Sequence, residues 1–259
     1  MDISLKDRFV SLWERYFDGA ELPVAFYYTR DASAPPPLAA ARGHMCVMAQ
    51  VARVRRGEDV CLGADSVGCF GGRRYLGFAK EPAPDLEHFL AKGIPGKLEG
   101  ERYKTSPEIV RETYRRIPAF EAPAPYIVFK RWDRLTARDE PVAVFFIARP
   151  DVVSGLFTLA NFDEGDPKAV IAPFGAGCAA IVQYPYDEAR SDAPRAVLGM
   201  FDVSARPFVG ADELSFAVPM SKFARMIDNM EESFLITESW SKVRLQNRDI
   251  ILFFIRLVS

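Results

Sequence analysis

The sequence predicts an α+β fold, with mixed, largely antiparallel sheet packed against helices, and three observations predict it. Short runs of β-branched and aromatic residues recur along the chain. Segments with apolar residues three and four apart lie between them. The two kinds of segment intermix without the strict βαβ alternation of a parallel doubly wound sheet. At 259 residues, with 49% hydrophobic and 26% charged positions, the chain is expected to form one compact unit over 1–259. A chain of this size buries roughly 70 to 75% of the surface exposed when unfolded, so it needs no disulfide or structural metal merely to fold.

In chain order, residues 4–17 place Leu5, Phe9, Leu12, Trp13 and Tyr16 on one helical face. Leu22 to Thr29 reads as a strand beginning at Pro23, and the three prolines of Ser33 to Pro37 demand a loop. Cys46 to Arg56 has helical character, with Gly57 where a C-terminal cap would stand. The glycine-rich stretch 63–77 reads as a turn feeding a strand at Arg73 to Phe78. Helices are expected at Leu86 to Leu90 and at Pro107 to Arg116, the second capped by Ser106. Pro118 to Pro125 is the best linker candidate.

Strands follow at Tyr126 to Lys130 and Val142 to Ala148, then a helix from Asp151 to Ala160 and a short strand at Val170 to Ala172. Cys178 to Gln183 opens a helix, Arg195 to Phe201 and Leu214 to Val218 are strands, and Met220 to Met230 is a helix. Phe223, Met226, Ile227 and Met230 stand at core spacing on that helix. The apolar run Asp249 to Val258 is too short to span a bilayer and reads as a buried strand or core segment.

A weak echo divides the chain into possible half-repeats 1–122 and 123–259. Pro23 to Arg30 resembles Pro141 to Arg149, Gly43 to Ala49 resembles Gly175 to Ile181, and Leu76-Gly77 resembles Leu198-Gly199.

Composition excludes more than it assigns. A net charge of −2 and a pI near 5.9 lack the basic surplus of a nucleic-acid binder. Arg53, Arg55 and Arg56 form a solvated basic face, without the aromatics of a nucleic-acid site. The N-terminus has no signal-peptide core, so the expected location is cytoplasmic, where four cysteines stay reduced. No membrane partner is expected, and a homodimer is compatible with the composition. There is no phosphate-binding loop, dinucleotide fingerprint, nucleophile elbow or His-Glu-x-x-His, and only His44 and His88 are available for histidine chemistry.

The cysteines are the first candidate. Cys46 and Cys178 lie at helix starts, where unpaired N–H groups favour a thiolate or an anion, and Cys61 and Cys69 lie in or beside the glycine-rich stretch. Cys46, Cys69 and Cys178 are therefore candidate ligands of a metal or iron–sulfur cluster, with Cys61 a possible addition. Their spacing matches no compact ligand pattern, and each is equally a small core residue. The second candidate is Gly71-Gly72-Arg73-Arg74, read as a concave turn that cradles an anionic ligand, with Arg206 in the segment Asp202 to Arg206 as a further contact. The partner is accordingly a small molecule or a metal. A thiol enzyme using Cys178 or Cys46 is the alternative, as is a non-catalytic structural or interaction protein.

The blocks Leu22-Pro23-Val24-Ala25, Cys46 to Gly57, Gly68 to Phe78, Gly177-Cys178-Ala179 and Val218-Pro219, taken in that order, resemble domain-of-unknown-function family 169. The likeness runs from about residue 5 to 240. It implies that Cys46, Cys69 and Cys178 belong to the family's recurrent pattern, and it implies no particular reaction.

Overall fold

The structure, a computed structural model, describes residues 1–31 and 35–245. The run Asp249 to Val258 lies outside the described residues. Seven strands form one sheet: β1 (Val24–Thr29), β2 (Val60–Gly63), β3 (Tyr126–Arg131), β4 (Ala143–Ala148), β5 (Val170–Ile171), β6 (Ala196–Gly199) and β7 (Leu214–Pro219). Their order is β2-β3-β1-β4-β7-β6-β5, antiparallel throughout except for the β5–β6 pair. The fold is α+β, as the intermixed elements predict.

Because side chains alternate across a strand, each strand feeds two cores. Val24 and Phe26 of β1, Phe129 of β3, Phe145 of β4 and Ala217 of β7 point to one face. That face is covered by α2 (Val47–Arg55), α3 (Phe70–Tyr75), a π-helix (Ala179–Gln183) and its continuation into an α-helical turn at Tyr184–Glu188. Ala25, Val144, Phe146, Phe216 and Val218 point to the other face. Here α1 (Ile3–Tyr16), the helix Pro150–Ala160 and the helix Met220–Asn229 close over the sheet. Asp2 caps α1 through Ser4 N–H, and Phe223, Met226, Ile227 and Met230 are buried as their spacing predicts.

The second face is dominated by rings. Phe223 meets Phe9 at 5.0 Å and Trp132 at 5.2 Å between centroids, and Trp13 stacks on Phe17 at 4.3 Å. A buried polar knot closes its edge: Lys130 Nζ donates to both oxygens of Asp139 at 3.0 Å, and Tyr27 and Thr136 donate to the same carboxylate. Burial alone would raise the Asp139 carboxyl, but these hydrogen bonds outweigh it and hold the group below its ordinary 3.8.

The strand ladders repeat about a two-fold axis through the Ala25–Val144 pair. Such an axis exchanges Val24 with Ala143 and Phe26 with Phe145, and Val24↔Phe145 becomes Phe26↔Ala143, the pairs observed. It also carries β3, Tyr126–Arg131, onto β7, Leu214–Pro219, residue for residue, and Val60 onto Val197. In this register the counterpart of Leu198-Gly199 lies in β2, at Cys61-Leu62 and within one residue of Leu62-Gly63. The pairing of Leu198-Gly199 with Leu76-Gly77 expected from the sequence echo is therefore corrected.

Three further expectations are corrected. Phe70–Tyr75 is a helix and not a turn feeding a strand. Cys69 caps it, and Gly72 lets it seat on α2: a Cβ there would lie 2.8 Å from Val47 Cγ2. The Pro118 to Pro125 stretch is a packed strap and not a linker, with Phe120 stacked on Tyr186 at 4.3 Å. Arg55 is largely buried, bonding Glu213 and Glu21, so the basic face of α2 is not uniformly solvated.

Candidate functional site

Two of the three candidate cysteines precede their helices: Cys46 is the N-cap of α2 and Cys69 of α3. Cys178 stands with helical backbone in the first turn of the helix that opens at Gly177 and runs into the π-helix. All three lie in or beside the first turn, at the positive end of the helix. Cys69 Sγ accepts from Gly72 N–H at 3.4 Å. The segments around these helices approach closely: a Cβ at Gly68 would strike Gly43 O in the loop before α2, and one at Gly199 of β6 would strike Ala180 of the π-helix.

The sulfurs of Cys46, Cys69 and Cys178 lie close enough to act on one another electrostatically, and Asp202 acts on Cys46 and Cys178. Asp202 is held in place by Gly177 N–H at 3.1 Å on one carboxylate oxygen and by Ser204 N–H and Oγ–H at 3.0 and 2.8 Å on the other. Burial pushes the Cys178 thiol well above its ordinary value, and Cys69, Cys46 and Asp202 push it further. Burial also raises the Cys46 thiol, against the opposing amides of Met48 and Ala49. These are protonated thiols at neutral pH, not activated nucleophiles. Cys61 stands apart: it lies on the other face of β2, with Tyr27 and Val128, and burial pushes its thiol up to about 11.

The Gly-Gly-Arg-Arg segment is helical and not the concave turn expected. Gly71 and Gly72 lie in the first turn of α3, where Gly72 N–H donates to Cys69 Sγ at 3.4 Å and Arg73 N–H to Cys69 O at 2.9 Å. Arg73 Nε donates to Val67 O at 2.8 Å, and Arg74 donates to Lys80 O with its guanidinium 5.5 Å from the Tyr114 ring centre. Arg206 is spent on backbone carbonyls, donating to Glu213 O, to Gly210 O at 2.6 Å and to Ala211 O at 2.8 Å. It staples the loop before β7.

Aromatic hydroxyls complete the surroundings of the thiols. Tyr75 and Tyr114 share a hydrogen bond of 2.5 Å, and both interact electrostatically with Cys178. Tyr103 brings a hydroxyl beside Asp202, Ser204 and Glu101, and burial raises its pKa above the ordinary value. Sequence reasoning missed all three tyrosines. Tyr75 and Tyr114 are 39 residues apart and only the fold joins them.

Two cavities lie elsewhere. One, of about 480 Å³, is lined by Tyr16, Asp18, Arg149, Trp240 and Arg244, and one of about 370 Å³ by Pro150, Phe201, Arg206 and Glu213. Neither is lined by a cysteine. Among the described residues, no three His, Cys, Asp or Glu side chains are arranged to hold a single metal ion, and no helix is long and apolar enough to cross a membrane.

Known proteins place the chain by its sequence. No curated protein and no solved structure matches it. Residues 15–229 match the family described as uncharacterised ArCR, a stretch that contains all four cysteines, Asp202 and the tyrosines around them. On that match, the chain belongs to domain-of-unknown-function family 169.

Proposed function

We propose that this chain binds a thiolate-held metal–sulfur cofactor, of the iron–sulfur class, through Cys46, Cys69 and Cys178, with Asp202 as an oxygen donor beside them. The observation that carries the reading is the approach of three cysteines, from positions far apart in sequence and each at or in the first turn of a helix, beside one carboxylate. Soft thiolates select such cofactors, and helix N-termini stabilise the negative charge a thiolate-ligated cluster carries. In a [4Fe–4S] cluster each thiolate binds a different iron, so its ligands stand farther apart than around one ion.

The polar groups brought together here, three thiols and the Asp202 carboxylate, suit a thiolate-held metal cofactor better than a small anionic ligand. Catalysis by Cys178 or Cys46 as nucleophile is disfavoured by thiols raised through burial. A reducing, cytoplasmic compartment would keep the thiols ready for metal.

Anaerobic purification, followed by iron, zinc and sulfide analysis before and after reconstitution with iron and sulfide, tests the proposal. The expected result is stoichiometric iron and sulfide with visible absorbance, lost in each of Cys46→Ser, Cys69→Ser and Cys178→Ser and kept in Cys61→Ser. Colourless wild-type protein without stoichiometric metal, as isolated and after reconstitution, overturns it.

A further inference from the structure

We infer that the cavity of about 480 Å³ at the end of α1 is a second site, one that takes a small zwitterion of the apolar α-amino-acid class. It is independent of the cofactor reading: no cysteine lines it, and its apolar wall belongs to the ring-packed face. The cavity lies beside the last residues of β4 and the first of the helix Pro150–Ala160. Its volume falls within the roughly 300 to 1,000 Å³ of small-molecule sites.

Two donors in the lining are left over. Tyr16 is 4% exposed and its hydroxyl has no hydrogen-bond partner among the described residues, and Arg244 Nε is buried in the same condition. A buried donor without an acceptor is costly, and a carboxylate in the cavity supplies acceptor oxygens for both.

The remaining charges select the rest of the ligand. Asp18, Glu21, Asp151 and Glu213 share the lining, so a plain carboxylic acid would enter against like charge. None of the four is idle. Asp151 pairs with Arg149 at 3.5 Å, Glu21 and Glu213 pair with Arg55 at 2.7 and 2.5 Å, and Asp18 is engaged as well. An ionised carboxylate has about four lone-pair sites, so a paired one still has room for an ammonium N–H. A ligand carrying both charges therefore finds a complement for each, where a simple acid or amine finds only one.

The apolar wall is built in advance. Trp240 is fixed by a bond from Nε1 to Tyr16 O at 2.8 Å and by edge contact with Phe17 at 5.2 Å. Gly155 makes room for both rings, since a Cβ there would strike them. An aliphatic or aromatic side chain on the ligand is the kind that such a wall removes from water.

Calorimetric titration of the full chain with L-phenylalanine and L-leucine tests the inference. The comparators are 3-phenylpropionate, which lacks the ammonium, and phenethylamine, which lacks the carboxylate. Saturable binding of the amino acids is expected, with both comparators about tenfold weaker than L-phenylalanine. Tyr16→Phe and Arg244→Gln, first checked by melting, are expected to weaken L-phenylalanine about tenfold each and to leave phenethylamine unchanged, because the groups removed read the carboxylate. Cys69→Ser should bind as wild type does. If Arg244→Gln does not fold, Arg244→Lys takes its place, keeping the charge without the Nε–H. Absence of saturable binding for both amino acids overturns the inference. So does a comparator that binds as tightly as L-phenylalanine, or wild-type affinity in both variants; each of these results leaves the cofactor reading intact.

Discussion

The two faces of the sheet are built from the same strands and solve opposite problems. On one, the rings of Phe9, Trp13, Trp132, Phe146 and Phe223 interlock and the polar edge is tied off by Lys130, Asp139, Tyr27 and Thr136. On the other, a helix and the elements around it approach through glycines, and three thiols, a carboxylate and a hydrogen-bonded tyrosine pair come near one place. One face is built mainly from interlocked rings, whereas the other gathers ionisable groups. Close ring packing and the thiols are thus divided between opposite sides of a single sheet.

The sharpest way to break that division is to compare truncations on the two faces. Phe223→Ala, at a side chain 1% exposed, is expected to cost about 3 to 5 kcal/mol in urea unfolding, whereas Cys69→Ser in the metal-free protein should cost no more than about 1 kcal/mol. Equal losses would mean that the thiols are core residues after all. Next in size, Lys130→Met should cost about 3 to 5 kcal/mol by leaving Asp139 buried and unpaired, with Lys130→Met/Asp139→Leu losing clearly less. Because the Asp139 carboxyl is lowered in the fold, its contribution is complete above the ordinary 3.8 and disappears as pH falls through the lower folded value. Acid unfolding of wild type, but not of the double variant, should therefore carry this step.

A change on the glycine-rich face should be milder for stability and sharper for the site. Gly72→Ala sets a Cβ 2.8 Å from Val47 Cγ2, which should cost about 1 to 3 kcal/mol and, by shifting α3 from α2, lower metal uptake by the cysteine cluster. The smallest effect concerns Cys61, whose thiol is raised to about 11 from an ordinary 9.0. The protonated form is the one the fold favours, so stability is full below pH 9 and declines as pH rises toward 11. At pH 10 the loss should be roughly 1 kcal/mol, and a melting-temperature series should show it removed in Cys61→Ala.

How much of this was legible in the sequence depended on whether local chemistry or distant contacts decided the element. The helix Pro107–Arg116 carries its own start signal in Ser106-Pro107, and Ser106 Oγ does accept from Ile109 N–H. α2 ends at Gly57, which adopts φ +94. The strand β2 escaped notice because four residues, Val-Cys-Leu-Gly, are too few for an alternation signal and its partner Phe129 lies far along the chain. α3 was masked by Gly71-Gly72, which reads as a turn; the contact of Gly72 with Val47 explains the glycine without one.

The same division holds in the candidate site. A cysteine at a helix start is visible locally: Cys46 and Cys69 are N-caps and Cys178 lies in a first turn. Where an arginine sends its protons is not. Arg73, Arg74 and Arg206 looked like ligand donors and were claimed by carbonyls that the fold delivers to them.

The strap from Pro118 to Pro125 gives the thiol face a mechanical dependence. Pro118 O accepts from Gln183 at the end of the π-helix, Ala122 N–H donates to Gly77 O at 2.9 Å just past α3, and Gly77 adopts φ +79 where a Cβ would strike Phe120. Two of the three cysteine-bearing helices are thus tethered at their far ends to the same eight residues. Cutting the chain there would slacken the cysteines' supports without altering one atom that touches them.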